Sequence, residues 1–176
     1  MLAECCALGG RDTGDAKMTG GYRLPAAHVI HNVGPVGSGG DADEDRLLAR
    51  CYRRSLEVAV ANGVRTIAFP AISTGVYGFP VDRAAKIAVR TIASFLSTLR
   101  GIAKVVFCCF SEESAEAHWA ALDGVRLVAC DILMNLHLSA HTSDSRKTLR
   151  CRCSTPPSRL GASISSTSST PSARNA

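Results

Sequence analysis

An α/β fold with a mostly parallel central sheet is what the sequence predicts, and two observations carry it. Short, largely apolar runs at 29–33, 66–70 and 105–110 have the length of buried strands. Between them lie stretches of helical periodicity bounded by Gly or Pro, so strands and helices alternate along the chain.

Each element has its own signal. Val29-Ile30-His31-Asn32-Val33 stops at the breaker Gly34-Pro35. Residues 43–62 read as a helix: Asp43, Glu44 and Asp45 suit its positive start, and Leu48, Cys51, Tyr52, Leu56, Ala59 and Val60 share one face. Asn62-Gly63 ends it, because Gly tolerates a left-handed backbone. Thr66-Ile67-Ala68-Phe69-Pro70 is the next strand. Pro80 suits a first helical turn, and Val81, Ala84, Ala85, Ala88, Ile92, Phe95, Leu96 and Leu99 continue at helical spacing to Gly101. Val105 to Phe110 is an unbroken apolar strand. Ser111 then caps a last helix with Glu112 and Glu113 in its first turn and Ala115, His118, Trp119 and Leu122 on its inner stripe.

Composition bounds the rest. The chain has 176 residues, 46% apolar and 20% charged, which suits one packed domain. It has no run of 18 apolar residues, so no membrane partner is expected. The start carries no basic segment followed by an apolar one, so no cleaved secretory signal is expected. Eight cysteines are too few for a disulfide scaffold. Reduced thiols and an intracellular setting follow as expectations, cytoplasmic and/or nuclear, with nothing in the sequence against mitochondria.

Charge is uneven. Residues 1–142 hold 14 basic and 14 acidic side chains, so the net +5 lies entirely in the tail. Six basic residues there (Arg146, Lys147, Arg150, Arg152, Arg159, Arg174) face one acid, Asp144. Such a tail attracts polyanions weakly, and no specific nucleic-acid partner is expected. From Ser154 to Ser172, 11 of 19 residues are Ser or Thr and three are Pro, too few apolar groups to offset chain entropy. The expected organisation is a domain over 1–122, a stretch over 123–142 that fits neither period, and a disordered basic tail over 143–176.

The chemically informative stretch is Ser73-Thr74-Gly75-Val76-Tyr77-Gly78-Phe79-Pro80, between a strand and a helix. Gly75 and Gly78 allow backbone turns that aim successive amides inward. Ser73 and Thr74 add hydroxyl donors, and the helix start adds positive charge. Together they suit an anion, phosphate above all. No Gly-Lys-Ser/Thr follows, so the loop is not of the Walker type. A plain strand-to-helix turn is the competing explanation.

Three segments carry a resemblance: Tyr22-Arg23-Leu24-Pro25-Ala26, His28-Val29-Ile30-His31-Asn32-Val33-Gly34-Pro35, and Ile67 through Pro80. Leu8-Gly9-Gly10 and Thr13-Gly14-Asp15-Ala16-Lys17-Met18-Thr19 add to it. Over about residues 2–122 the chain resembles the macrodomain family, in its MacroD-type branch. The resemblance implies a three-layer α/β/α domain that binds ADP-ribose. It also implies kinship with enzymes that remove mono-ADP-ribose from acidic side chains and deacetylate O-acetyl-ADP-ribose. By position, Ser73, Thr74, Gly75, Val76, Tyr77 and Gly78 look like the loop that wraps the diphosphate, with Tyr77 against the distal ribose. Phe110 looks like the aromatic stacked on adenine, where a face-on ring contributes about 1–3 kcal/mol. Without the resemblance, a core residue at a strand terminus is the competing explanation for Phe110. Implied partners are ADP-ribose or mono-ADP-ribosylated proteins; no cofactor is implied, and a monomer is expected.

The family's opening strands, its Asn-Ala-Ala-Asn segment and its Gly-rich loop with the catalytic-site Asp have no counterpart in these 176 residues. No catalytic role is therefore transferred, to Asp12, Asp15, His31 or any other residue. A sheet without its first strands would leave backbone edges unpaired. One lost apolar strand would forfeit on the order of 10 kcal/mol of burial at ~25 cal/mol per Å². The expectation is a marginally folded, aggregation-prone or partner-dependent chain, which a cooperative melt with dispersed amide resonances would contradict.

Other constellations are weaker. His137, His141, Cys151 and Cys153 have zinc-ligand chemistry but match no common zinc spacing. Cys108-Cys109 read as inert core thiols with no basic flank, Cys5-Cys6 as oxidisable, and His31 and His118 as hydrogen-bonded core histidines. Ser73 lacks a Gly-x-Ser-x-Gly elbow, which argues against an acyl-transfer nucleophile. Arg53-Arg54 reads as a solvated helix edge.

Overall fold

A computed structural model describes residues 2–39, 43–125, 131–136 and 147–151. Helix α1 spans Leu2–Leu8, followed by β1 (Ala16–Gly20) and β2 (His28–Asn32). Then come α2 (Glu44–Ala61), β3 (Thr66–Pro70), α3 (Val81–Thr98), β4 (Lys104–Cys109) and α4 (Glu112–Asp123). Strands β5 (Asp131–Leu136) and β6 (Lys147–Cys151) complete the described elements.

The strands form two sheets. β1 and β2 pair antiparallel, with Met18 opposite Ile30. β3, β4, β5 and β6 lie in that order, the first three parallel and β6 antiparallel on β5. Parallel pairing thus occupies the helix-covered centre, and antiparallel pairing the margins.

Local chemistry explains the helices. The one-sided stripe of α2 buries Leu48, Cys51, Tyr52, Leu56 and Ala59. α3 buries Ala84, Ala85, Ala88, Val89, Ile92 and Phe95. It ends one residue before Leu99, which is extended and about half exposed instead of continuing the stripe. Pro80 precedes the helix as its cap and does not occupy the first turn. α4 starts as its sequence implies, with the Ser114 amide donating to Ser111 Oγ at 3.2 Å.

The core lies between these helices and the inner faces of β3 and β4, where Ile67, Phe69, Val105, Phe107 and Cys109 alternate inward. Tyr52 and Phe69 meet with ring centroids 5.2 Å apart. On the outer face Ala68 is exposed.

Some assignments change in three dimensions. Stretch 123–142 has no clear period, yet Asp131–Leu136 forms β5 beside β4 and buries Ile132. Lys147–Cys151, placed in the tail by composition, pairs with β5 as β6. Both strands are defined by a partner edge more than by their own pattern. His137, His141 and Cys153, with the Ser/Thr/Pro-rich segment, lie outside the described residues. Among the described residues no His/Cys/Asp/Glu group is arranged to hold a metal, and no helix is long and apolar enough to cross a membrane.

Arg54 is not a merely solvated residue. It bonds Asp15 at 3.1 Å across the α2–β1 junction and also pairs with Glu57, while Arg53 stays exposed. The Ala16 amide, and then Arg54, hold the Asp15 carboxyl below the usual carboxylate range. Cys109 has a basic neighbour that linear inspection misses, with His118 Nδ1 3.9 Å from its Sγ. Burial nonetheless pushes both the Cys108 and Cys109 thiols up, so both remain inert.

His118 itself yields a pH prediction. It is 2% exposed, its Nδ1 lies 2.7 Å from the Ser114 carbonyl, and its Nε2 has no partner among the described residues. The proton therefore sits on Nδ1 and the ring is neutral. Burial lowers its pKa from the ordinary 6.5, opposed by the Ser114 carbonyl. The unfolded chain takes up a proton that the folded chain refuses. Stability from this group is complete above pH 6.5 and falls as the solution is acidified. Urea midpoints measured from pH 7.5 to 5 are expected to drop more steeply for the parent than for His118→Phe; parallel curves would refute this.

Candidate functional site

β3 delivers the 73–78 loop to the carboxyl end of the sheet, and the chain then enters α3. Ligand sites of α/β sheets lie outside such strand ends. The Gly78 amide donates to the Gly75 carbonyl at 2.9 Å, and the Phe79 amide closes the loop on the Ser73 carbonyl at 3.0 Å. Thr74 Oγ1 donates to the Ala71 carbonyl at 3.1 Å, so this hydroxyl braces the loop from within.

Backbone conformation corrects one expectation. The left-handed positions are Ser73 (φ 67°) and Gly78 (φ 66°), and Gly75 is not among them. Only Gly78 uses the freedom of its residue type; Ser73 adopts φ > 0 with a side chain attached, an uncommon state that its buried surroundings hold in place.

The outcome is a row of amides. Thr74, Gly75, Val76 and Tyr77 donate to no backbone carbonyl among the described residues. Nothing lies within 4 Å of a side chain built at Gly75, so the space beside the row is open. Residues 71–80 contain no Lys or Arg, so any anion here would be held by main-chain dipoles. Val76 projects fully into solvent and Tyr77 is about half exposed.

A second segment clasps the loop. Gly37 donates to the Tyr77 carbonyl at 2.7 Å, and a methyl group on Gly37 would come within 2.9 Å of the Gly78 carbonyl oxygen. Gly34 approaches just as closely, with a Cβ there falling 2.4 Å from Ser73 Oγ and 3.0 Å from Ile72 Cγ2. The sequence marks Gly34-Pro35 as a strand terminator and gives no local sign that it walls the loop. Gly34→Ala is expected to destabilise by about 1–3 kcal/mol through overpacking. Ser73→Gly, by removing the struck hydroxyl, should recover part of that loss. Purely additive melting shifts in the double variant would contradict the contact.

Ser73 Oγ is buried and has no hydrogen-bond partner among the described residues. An orphaned donor in a loop of free amides is unfavourable without a ligand to accept from it. Below the loop, the Tyr52 hydroxyl hydrogen-bonds the Ile72 backbone. Full burial of that phenol, more than any neighbour, pushes its pKa well above the ordinary value.

Phe110 is not a core residue. It follows β4 and is 65% exposed. Register sets Pro70 opposite Cys108, so Phe110 leaves the sheet at the same end as the loop. The structure thus brings all seven sequence-predicted site residues to one edge. His31 is half-buried with Nε2 2.9 Å from Thr19 Oγ1, hydrogen-bonded as its type suggests.

The sequence pattern described as "Macro domain" matches residues 1–88. A macro domain-containing protein, CT2219, of Chlorobaculum tepidum is 55% identical over 122 residues, spanning 69% of this chain and 71% of its own. The protein named ADP-ribose glycohydrolase MACROD2 in Xenopus laevis is 51% identical over 64% of this chain, which covers only 27% of it. Among solved structures, a mutant Oceanobacillus iheyensis macrodomain with ADPR superposes with a TM-score of 0.64 at 35% identity, over 70% of this chain and 66% of that one. A Trypanosoma brucei macrodomain in complex with ADP gives 0.63 at 38% identity, over 69% and 50%.

Proposed function

The chain belongs to the macro domain family, and on that premise we propose that it binds ADP-ribose, free or attached to protein, through the 73–78 loop. The observation that carries this reading is the row of four unpaired amides from Thr74 to Tyr77, with the orphaned Ser73 hydroxyl beside it. A diphosphate supplies acceptors for all of them, in charge-assisted hydrogen bonds. Tyr77 then flanks the distal ribose, and Phe110 offers a ring face for adenine at the same sheet end. Similarity to a macrodomain with ADPR and to one in complex with ADP supports the ligand class.

Binding without turnover is the form of the function we assign. Among the described residues, the cleft beside the loop is lined by His28, His31 and Tyr77 and by no carboxylate. Relatives named ADP-ribose glycohydrolase and O-acetyl-ADP-ribose deacetylase define the alternative. Two measurements decide. Calorimetry with ADP-ribose is expected to give one site tighter than about 1 mM, or about 4 kcal/mol; weaker binding removes the proposal. Incubation with a protein mono-ADP-ribosylated on glutamate is expected to release no ADP-ribose, and steady release would make the chain a hydrolase.

A further inference from the structure

The segment that clasps the loop is itself anchored. Glu44, the first residue of α2, is 3% exposed, an unusual burial for a carboxylate. Its Oε1 accepts from the Ser38 amide at 2.8 Å. The preceding residue, Gly37, donates to the Tyr77 carbonyl at 2.7 Å. Two consecutive amides thus have different duties: one is tied to α2, the other to the loop.

We propose that Glu44 is a positioning residue for ADP-ribose: through the Gly37–Ser38 strap its carboxylate holds the Tyr77 carbonyl so that the amides of 74–77 stay free for the diphosphate. Glu44 has no contact with the ligand in this role, which rests on the 73–78 loop being the ADP-ribose site.

The 77–78 peptide shows why the tie matters. Its carbonyl accepts from Gly37, and its amide, that of Gly78, donates to the Gly75 carbonyl at 2.9 Å. With both polar atoms pinned, the peptide plane cannot turn. Released from Gly37, the plane would be held by the Gly75 contact alone. A carbonyl turned toward the amide row would then meet the phosphate with its negative end.

Packing cannot substitute for these hydrogen bonds. A cavity of about 150 Å³ lies between strap and loop, bordered by Gly39, Glu44, Phe79 and Arg83 among others. Gly37 and Gly39 bring no side chains to fill it.

Reach explains the residue type. Asp45, next along α2, pairs with Arg83 at 2.8 Å, and the Arg83 guanidinium lies 5.8 Å from the Phe79 ring centroid. Asp45 therefore braces the start of α3, while Glu44 braces the strap. A carboxylate one methylene shorter at position 44 would fall short of the Ser38 amide by up to about 1.5 Å, out of hydrogen-bond range.

Calorimetry with ADP-ribose on the full chain and its variants tests this, each measured below its own melting transition. Glu44→Ala and Glu44→Asp release the strap and are expected to bind at least tenfold more weakly than the parent. Glu44→Gln keeps an acceptor oxygen at the same reach and should stay within threefold. Without ligand, the Ser38 amide should exchange at least tenfold faster in Glu44→Asp than in Glu44→Gln. Leu48→Val, at a fully buried position one turn along α2, should lower the melting temperature and keep affinity within twofold. A parent that does not bind removes the loop from the ADP-ribose site, and this role with it. If the parent binds, the role of Glu44 alone is overturned by parent-like affinity in Glu44→Asp, by Glu44→Gln binding as weakly as Glu44→Asp, or by equal Ser38 exchange in those two. A loss in Leu48→Val as large as in Glu44→Asp overturns it too, since stability would then set affinity. Loss of the cooperative melt in both Glu44→Ala and Glu44→Asp has the same consequence, because Glu44 would then hold the fold and not the loop.

Discussion

Gly75→Glu is expected to weaken ADP-ribose binding at least 100-fold, about 2.7 kcal/mol, while leaving the fold intact. The position is open, so a side chain fits without a clash, and its backbone is not left-handed. The Gly75 carbonyl still accepts from Gly78, so loop closure survives. A carboxylate there would lie beside the free amides of 74–77 and compete for them. It would also repel the diphosphate by roughly 1–4 kcal/mol per charge pair at about 4 Å, depending on solvent access. Gly75→Ala adds bulk without charge and should bind within a few-fold of the parent. Calorimetry on the three proteins, with melting curves as the fold control, decides between charge and size. Parent-like affinity in Gly75→Glu would remove the loop from the site.

The largest stability effect is expected at Phe107. Phe107→Ala should cost about 3–5 kcal/mol, a large share of the 5–15 kcal/mol that holds a typical domain folded. The side chain is 1% exposed at mid-strand in β4, opposite Phe69 in register, with its centroid 4.8 Å from the His118 ring. Truncation leaves a cavity between strand and helix that neither a regular strand nor α4 can collapse to fill. Leu99→Ala, at a half-exposed residue beyond α3, is the contrast and should change stability by no more than about 0.5 kcal/mol. Urea unfolding of both variants gives the comparison. A midpoint for Phe107→Ala within error of the parent would mean that β4 does not pack as described.

Much of this architecture is legible in the residues themselves. The stripes of α2 and α3, the Ser111 cap and the apolar runs of β3 and β4 are local patterns whose period matches the element they form. The loop from Ser73 to Gly78 is recognisable because its composition is unusual between a strand and a helix. Less legible were the parts that depend on a neighbour. β5 and β6 have no clear pattern of their own and are strands because an edge is available to pair with. Arg54 became an ion-pair partner of Asp15 only when α2 crossed β1.

The linear order of side chains alone determined the alternating α/β elements, the family resemblance and the unusual composition of the 73–78 loop, because hydrophobic period, caps and turn residues act over a few positions. Tertiary structure alone decided which amides of that loop stay unpaired among the described residues, that Gly34 and Gly37 wall it, and that Phe110 faces solvent. Those outcomes depend on contacts between residues tens of positions apart. Which edge or carbonyl a group meets is set by how whole elements pack, and no local pattern records it.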